Sequence, residues 1–275
     1  MAIPFVKMHG LGNDFVVVDI RPGGIVFGAS QIRAIADRRR GIGCDQFITL
    51  EPSQRGDVFM RIHNADGGEV EACGNATRCV ARSLMDEMGR DRVAIETGAG
   101  LLETMRDGDR VTVDMGRISF AWRDIPLAHE ADTMALDLGG ELGPAVAVYI
   151  GNPHAVFFVE AAEAVDLERL GPEIEHHELY PQRTNVEAAQ VIDRRTIRLR
   201  VWERGVGITK ACGTGACASA AAAARRGLTE RSVTVHLDGG PLEIEWVGND
   251  HALMTGPANT SFRGLIDDAL LQVSS

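Results

Sequence analysis

The chain has 275 residues, 45% of them hydrophobic, which is enough for one large core or two ordinary ones, and average domain sizes favour two. Its 28 basic and 39 acidic residues leave a net charge of -11, so the basic footprint of a nucleic-acid binder or of a protein held on an anionic membrane is excluded. No apolar run approaches the length of a bilayer span and the start MAIPFVKMHGLGND lacks an apolar signal core, so a cytoplasmic protein is expected.

In chain order, FVKM predicts a short strand, HGLGND a Gly-rich corner, and FVVVD (Phe15 to Asp19) a core strand. SQIRAIADRR predicts a helix capped by Ser30, closed by GIGCD before the apolar run QFITLEP. After VFMRIHNADGG, the stretch CGNATRCVARSLMDEMG predicts a helix ended by Gly89. RVAIETGAGLLETMRDGDRVTVDMG reads as three strands, two of them joined at Asp107-Gly108. From Arg117 to Gly143 the periodicity weakens into a connection. AVAVYIGNPHAVFFVE opens a second domain, and RLGPEIEHHELYP reads as a loop. TNVEAAQVI, the strand RTIRLRVWERG, the helix GTGACASAAAAARRG and the hairpin SVTVHLDGGPLEIEWV follow. The second helix is apolar or small almost all round until its terminal arginines, which predicts burial with a sheet close against its alanines.

Five cysteines, Cys44, Cys73, Cys79, Cys212 and Cys217, are an odd count without a secretory signal, which argues against a disulfide framework. No CxxC pair is present, so no metal is expected. Cys79 and Cys217 lie inside their helices and read as packed core thiols. Cys73 and Cys212 each stand directly before a glycine at a helix entrance, where unsatisfied backbone N–H groups and the positive helix end favour a thiolate.

The two cysteine segments belong to a duplication. Cys212 follows Cys73 by 139 positions; Asn152 follows Asn13, Asn185 follows Gln46 and Glu203 follows Asn64 by the same 139. Two copies of one fold would then contribute one cysteine each to a shared task. Two opposed thiols suit racemisation or epimerisation beside a carboxylate, because one removes the α-proton while the other delivers one to the opposite face. Helix-entrance N–H groups suit the substrate carboxylate. Glu203 and Arg204 in WERG offer a carboxylate to an ammonium and a guanidinium fork to a second carboxylate. No lysine stands out for a Schiff base, and no cofactor is expected.

Six segments in order, MHGLGNDFVVVD, RRRGIGCDQ, NADGGEVEACGNATRC, GNPHAV, TNVEAA and ERGVGITKACGTGACA, resemble the diaminopimelate epimerase family along the whole chain. The resemblance implies a cofactor-independent enzyme interconverting LL- and meso-2,6-diaminopimelate, with Cys73 and Cys212 exchanging base and acid roles. It implies substrate contacts from Asn13, Gln46, Asn64, Asn152, Asn185, Glu203 and Arg204, with backbone contributions from Gly74, Asn75, Gly213 and Thr214. The implied fold is α/β (α+β): two pseudo-symmetric domains, each a mixed sheet around a central helix. The first takes residues 1–116 plus a returning 263–275, the second residues 117–262. A homodimer is implied as well. His154, beside Asn152, is expected to support hydration or orientation. Ile208 and Cys44 depart from the family pattern, where an acidic and a small residue are common.

Three other readings remain open. Racemases of the same fold use such a cysteine pair on proline or hydroxyproline, which would not need Asn64, Asn185 and Glu203-Arg204. A fold relative isomerises without the pair. Two facing thiols could also form an oxidisable switch.

Overall fold

The computed structural model describes residues 2–23 and 25–272. The chain divides into two compact units, residues 1–113 with 256–275, and residues 114–255.

The first unit opens with β1 (Ile3–Gly10) and β2 (Asn13–Asp19), joined through Leu11 and Gly12, both at positive φ (56° and 82°). Two consecutive left-handed residues give the tight turn whose twist matches an antiparallel pair, and here one of them is a leucine. Helix α1 (Ala29–Ala36) follows. Its N-cap is Gly28, whose N–H donates to the Gln31 side chain at 3.0 Å, so the predicted Ser30 cap lies two positions too late. Strands β3 (Gln46–Glu51), β4 (Val58–Asn64) and β5 (Glu69–Val70) lead to α2 (Gly74–Met88), which Gly89 ends in the left-handed conformation with its N–H on the Met85 carbonyl. Strands β6 (Arg92–Thr97), β7 (Gly100–Asp107) and β8 (Arg110–Arg117) complete the first pass.

The second unit runs through β9 (Val146–Tyr149), β10 (Pro153–Phe158), a single 3₁₀ turn at Ala162–Ala164, and α3 (Leu167–Glu175). That helix occupies a stretch read as loop from its Gly171-Pro172 pair. Asp166 caps it by accepting from the Arg169 N–H at 3.2 Å, and a Cβ on Gly171 would lie 2.4 Å from the Trp202 ring, so tertiary packing keeps the glycine. Strands β11 (Asn185–Asp193), β12 (Thr196–Glu203) and β13 (Gly207–Thr209) precede α4 (Gly213–Arg225); β14 (Ser232–Leu237), β15 (Gly240–Trp246) and β16 (His251–Pro257) follow it. The chain then re-enters the first unit as β17 (Asn259–Ile266), antiparallel to β1 with Ile3 opposite Ile266, and ends in a short α5 (Asp268–Leu271).

Each unit wraps a mixed sheet around one helix. Helix α2 packs on β1, β2, β6 and β7, and α4 on β9, β10, β11, β12, β14 and β15. The alanines of α4 are buried from Ala216 to Ala223, because small side chains let the strands approach the helix backbone. The strand registers repeat the sequence offset. Phe15 pairs with Gln46 in parallel β2 and β3, as His154 pairs with Asn185 in β10 and β11. Phe47 opposes His63, as Val186 opposes Trp202; His63 opposes Glu69, as Trp202 opposes Ile208. All these positions differ by 139, and so do the helix starts Gly74 and Gly213. Pairing register is fixed by which face is buried, so a shared register marks two copies of one pseudo-symmetric fold. Among the described residues no helix is long and apolar enough to cross a membrane.

Candidate active site

In the first unit Cys73 is the N-cap of α2, with extended backbone (φ -151°, ψ 109°). Its thiol donates to Asn13 Oδ1 at 3.6 Å, and Asn75 Nδ2 reaches the same oxygen at 3.5 Å. Behind them stands Arg78, fully buried, donating through Nη2 to Asn75 Oδ1 at 2.7 Å and through Nε to the Pro257 carbonyl at 3.3 Å. Gln46 and Asn64, opposed across β3 and β4, are linked by Gln46 Nε2 donating to Asn64 Oδ1 at 3.1 Å.

The other end of the Asn13 amide is held by charge. Its Nδ2 donates to Asp45 Oδ2 at 3.0 Å, and Arg38 binds both Asp45 (2.7 Å) and Asp14 (2.6 Å). Lys7, only 7% exposed, meets Asp14 at 2.7 Å and also donates to the Gly43 carbonyl. Burial pushes the Asp14 carboxyl up, but Arg38 and Lys7 outweigh it and hold the group well below the usual carboxylate range.

In the second unit Cys212 is the N-cap of α4 (φ -109°, ψ 109°), and its sulfur accepts from the Gly215 N–H at 3.4 Å. Thr214 Oγ1 lies 3.5 Å from the same sulfur and takes Asn152 Nδ2 at 3.4 Å. Asn152 Oδ1 faces His154 Nε2 at 2.8 Å, and His154 Nδ1 faces Glu187 Oε1 at 2.6 Å. The loop before β10 explains the reach of Asn152. Tyr149 pairs with Pro153, which leaves three residues between the strands where the first unit has two, so Asn152 sits off the ladder while Asn13 sits on it.

Glu203 accepts from Thr209 Oγ1 and is pushed up by burial, with the Cys212 thiol also against it. Burial, reinforced by Glu203 and Glu187, drives the Cys212 thiol well above its ordinary value. A helix entrance by itself favours the thiolate. In the structure, desolvation and two neighbouring carboxyls overcome the few N–H groups, so Cys212 stands as a thiol. Cys79 and Cys217 are fully buried, as expected of packed core thiols, and burial pushes Cys79 up to about 12; Cys44, buried as well, is pushed up to about 11.

Asn185 and Arg204 have bracing bonds. Asn185 Nδ2 donates to the Pro153 carbonyl at 3.0 Å and its Oδ1 accepts the Arg204 N–H at 2.9 Å, which ties the starts of β10 and β11 to the end of β12. The exposed Arg204 guanidinium donates to the Gln182 carbonyl at 3.0 Å. A Cβ on Gly213 would lie 2.9 Å from Met254 Sδ, so glycine at the helix entrance beside Cys212 leaves room for that side chain.

Arg78, Glu187, Lys7, Asp14 and Asp45 were not singled out from the sequence, although each lies in or beside a quoted motif. Glu187 carried a signal: it is a carboxylate inside the apolar run of TNVEAA, and charge written into a core strand implies a buried partner. No cluster of three potential metal ligands occurs among the described residues.

Residues 5–121 and 146–261 match the family described as diaminopimelate epimerase. A diaminopimelate epimerase of Rhodospirillum centenum is 56% identical over 271 residues, covering 97% of this chain and 93% of the relative. That of Erythrobacter litoralis is 52% identical over 269 residues, covering 97% and 98%. Among solved structures, a hydroxyproline epimerase from Agrobacterium vitis superposes with a TM-score of 0.67 at 19% identity, over 96% of this chain and 92% of that one. A Bacillus anthracis phenazine biosynthesis protein of the PhzF family gives 0.68 at 14%, over 97% and 99%. These two likenesses establish the fold alone.

Proposed function

The chain belongs to the diaminopimelate epimerase family, and from that premise we propose that it interconverts LL- and meso-2,6-diaminopimelate without a cofactor, using Cys73 and Cys212 as the proton-transfer pair. The observation that carries this reading is that both cysteines are N-caps at equivalent positions of a duplicated fold, one per unit.

A thiolate takes the α-proton, breaking the C–H bond and forming S–H, and the electron pair passes into the α-carboxylate. The second thiol then releases its proton to the opposite face of the same carbon, restoring C–H with inverted configuration. The reverse direction exchanges the roles. Cys212 is held as the thiol, the form that delivers. The weak acidity of the carbon is met by fixed donors: the leading N–H groups of α2 and α4, at Gly74, Asn75, Gly213 and Thr214, suit the carboxylate whose charge grows in the transition state. Asn13, Gln46, Asn64, Asn152 and Asn185 supply neutral donors and acceptors to a substrate with two amino-acid ends. Glu203 suits an ammonium and Arg204 a carboxylate. The chain works as a homodimer in this reading.

The test is α-proton exchange followed by NMR in D2O under reducing conditions, with LL-diaminopimelate and, for comparison, L-proline. Exchange with appearance of the meso form, lost in both Cys73→Ala and Cys212→Ala, supports the proposal. Exchange on proline alone moves the protein to the racemases, and silence on both substrates refutes it. Sedimentation of the wild type checks the dimer.

A further inference from the structure

Glu187 is a fully buried carboxyl that the mechanism above does not use. Its Oε1 lies against His154 Nδ1, and a Cβ on Gly215 would come within 3.0 Å of the same oxygen, so the first turn of α4 is built around it. Its Oε2 makes no well-formed hydrogen bond, although the Ala155 N–H lies close enough to favour the ionised form weakly against burial. The duplication shows that the fold does not need such a pair. The positions 139 earlier are Phe15 and Ile48, both fully buried, where His154 and Glu187 stand in the second copy. A buried ionisable pair is a costly replacement for apolar neighbours that pack equally well, and it therefore points to a task.

The hydrogen-bond chain indicates the task. We propose that Glu187 is a positioning residue: it and His154 together hold one shared proton, which keeps a hydrogen on His154 Nε2, fixes Asn152 Oδ1 upon it, and so turns the Asn152 NH2 group to Thr214 and the Cys212 corner. Both nitrogens of the ring face oxygens, Glu187 Oε1 and Asn152 Oδ1. Two arrangements satisfy this, a neutral carboxyl donating to Nδ1 or a carboxylate beside an imidazolium, and both put hydrogen on Nε2. The arrangement they exclude is a bare carboxylate with a neutral ring hydrogenated on Nδ1, which would require the Asn152 amide to be reversed and would leave an uncompensated anion in the interior. Cys212, Tyr180 and Glu203 are close enough to feel the Glu187 charge, and among the described residues the cation acting on it is His154 alone. Burial pushes the Glu187 carboxyl up, consistent with a net-neutral pair.

The inference rests on reading Cys212 as a proton-transfer group, and its test separates the two ideas. Histidine-selective 15N labelling of the full chain, with the His154 resonances assigned by loss in His154→Gln, reads which ring nitrogen carries hydrogen whether or not turnover occurs. Hydrogen on Nε2 is expected; a bare Nε2 in the wild type overturns the proposal. Steady-state epimerisation of LL-diaminopimelate is then compared in Glu187→Gln and Glu187→Leu. The amide of Gln can donate to Nδ1 and preserve the Nε2 hydrogen, so Glu187→Gln should keep most of the kcat. Glu187→Leu should lose about 10- to 100-fold in kcat, the usual cost of removing a group that orients a functional histidine, and should mix the two ring tautomers. Equal loss in both variants, or wild-type activity with an unchanged Nε2–H in Glu187→Leu, overturns it. An inactive wild type with hydrogen on Nε2 would count against the proposed reaction while leaving the proton arrangement standing.

Discussion

The two cysteine corners are copies that have been loaded with opposite electrostatics. At Cys73 the supporting groups are cations and the carboxyl groups paired with them: Arg78 behind Asn75, and the Lys7, Asp14, Arg38 and Asp45 cluster behind Asn13. At Cys212 they are groups that burial discourages from ionising, namely Glu187, Glu203 and the thiol itself. The equivalent asparagines share this difference, since Asn13 Oδ1 receives a thiol while Asn152 Oδ1 is occupied by a histidine. A pseudo-symmetric pair need not be chemically equal. The backbone repeats where packing dictates it, while the groups behind each cysteine differ in charge.

The largest effect should come from the sulfurs. In the proposed mechanism Cys73→Ala and Cys212→Ala each remove one of the two proton carriers, so kcat for epimerisation should fall by at least ~10³-fold, in line with the loss of a positioned acid or base. Residual α-proton exchange on one face only, seen by NMR in one variant, would assign that face to the surviving cysteine.

Arg78→Met breaks the first corner from behind. It removes the buried donor from Asn75 Oδ1 and the Pro257 carbonyl, and stability should drop by about 2–4 kcal/mol. Chemical denaturation measures this. A neutral result would mean that the cation is not what distinguishes this corner.

Gly213→Ala probes close approach at the second corner. The added methyl meets Met254 Sδ, the flexible end of a side chain, so the cost should be about 1–2 kcal/mol and should shrink when Met254→Val is added. Thermal unfolding of the single and double variants checks both steps.

The smallest effect sharpens the electrostatic contrast, because the two corners should respond to pH with opposite sign. Asp14 is depressed when folded, so its contribution is complete above its unfolded value of about 3.9 and is lost as pH falls through the folded value. Glu203 is raised, so the unfolded chain releases this proton from about pH 4.3 while the folded chain retains it, and stability falls as pH rises through that window. Thermal unfolding against pH should show the Asp14→Asn penalty shrinking in acid and Glu203→Gln gaining on the wild type above about pH 5. The same sign in both variants would remove the contrast.

Much of the fold was legible because its signals are local. The offset of 139 appears as strand register at Phe15 and His154 and at Gln46 and Asn185, and again in the helix starts, although Asn152 leaves the ladder that Asn13 keeps; the alanine-rich helix is buried as its composition requires. Helix α3 was hidden, since Gly171 and Pro172 read as punctuation and only contact with Trp202 keeps a helix through them. The α1 cap moved from Ser30 to Gly28 because a glutamine side chain reached back to it.

The sequence by itself determined the duplication, the placing of Cys73 and Cys212 at two helix entrances, and membership in one family, because period, spacing and motif are properties of the chain. Tertiary structure decided the state of the Cys212 thiol and the identity of the groups that support both cysteines. Whether Cys212 is a thiol depends on burial and on Glu203 and Glu187, which come from different strands. Whether Asn13 is held by ions and Asn152 by a histidine depends on which side chains the sheets bring behind them. Desolvation and hydrogen-bond geometry are set by neighbours in space, and a linear spacing contains neither.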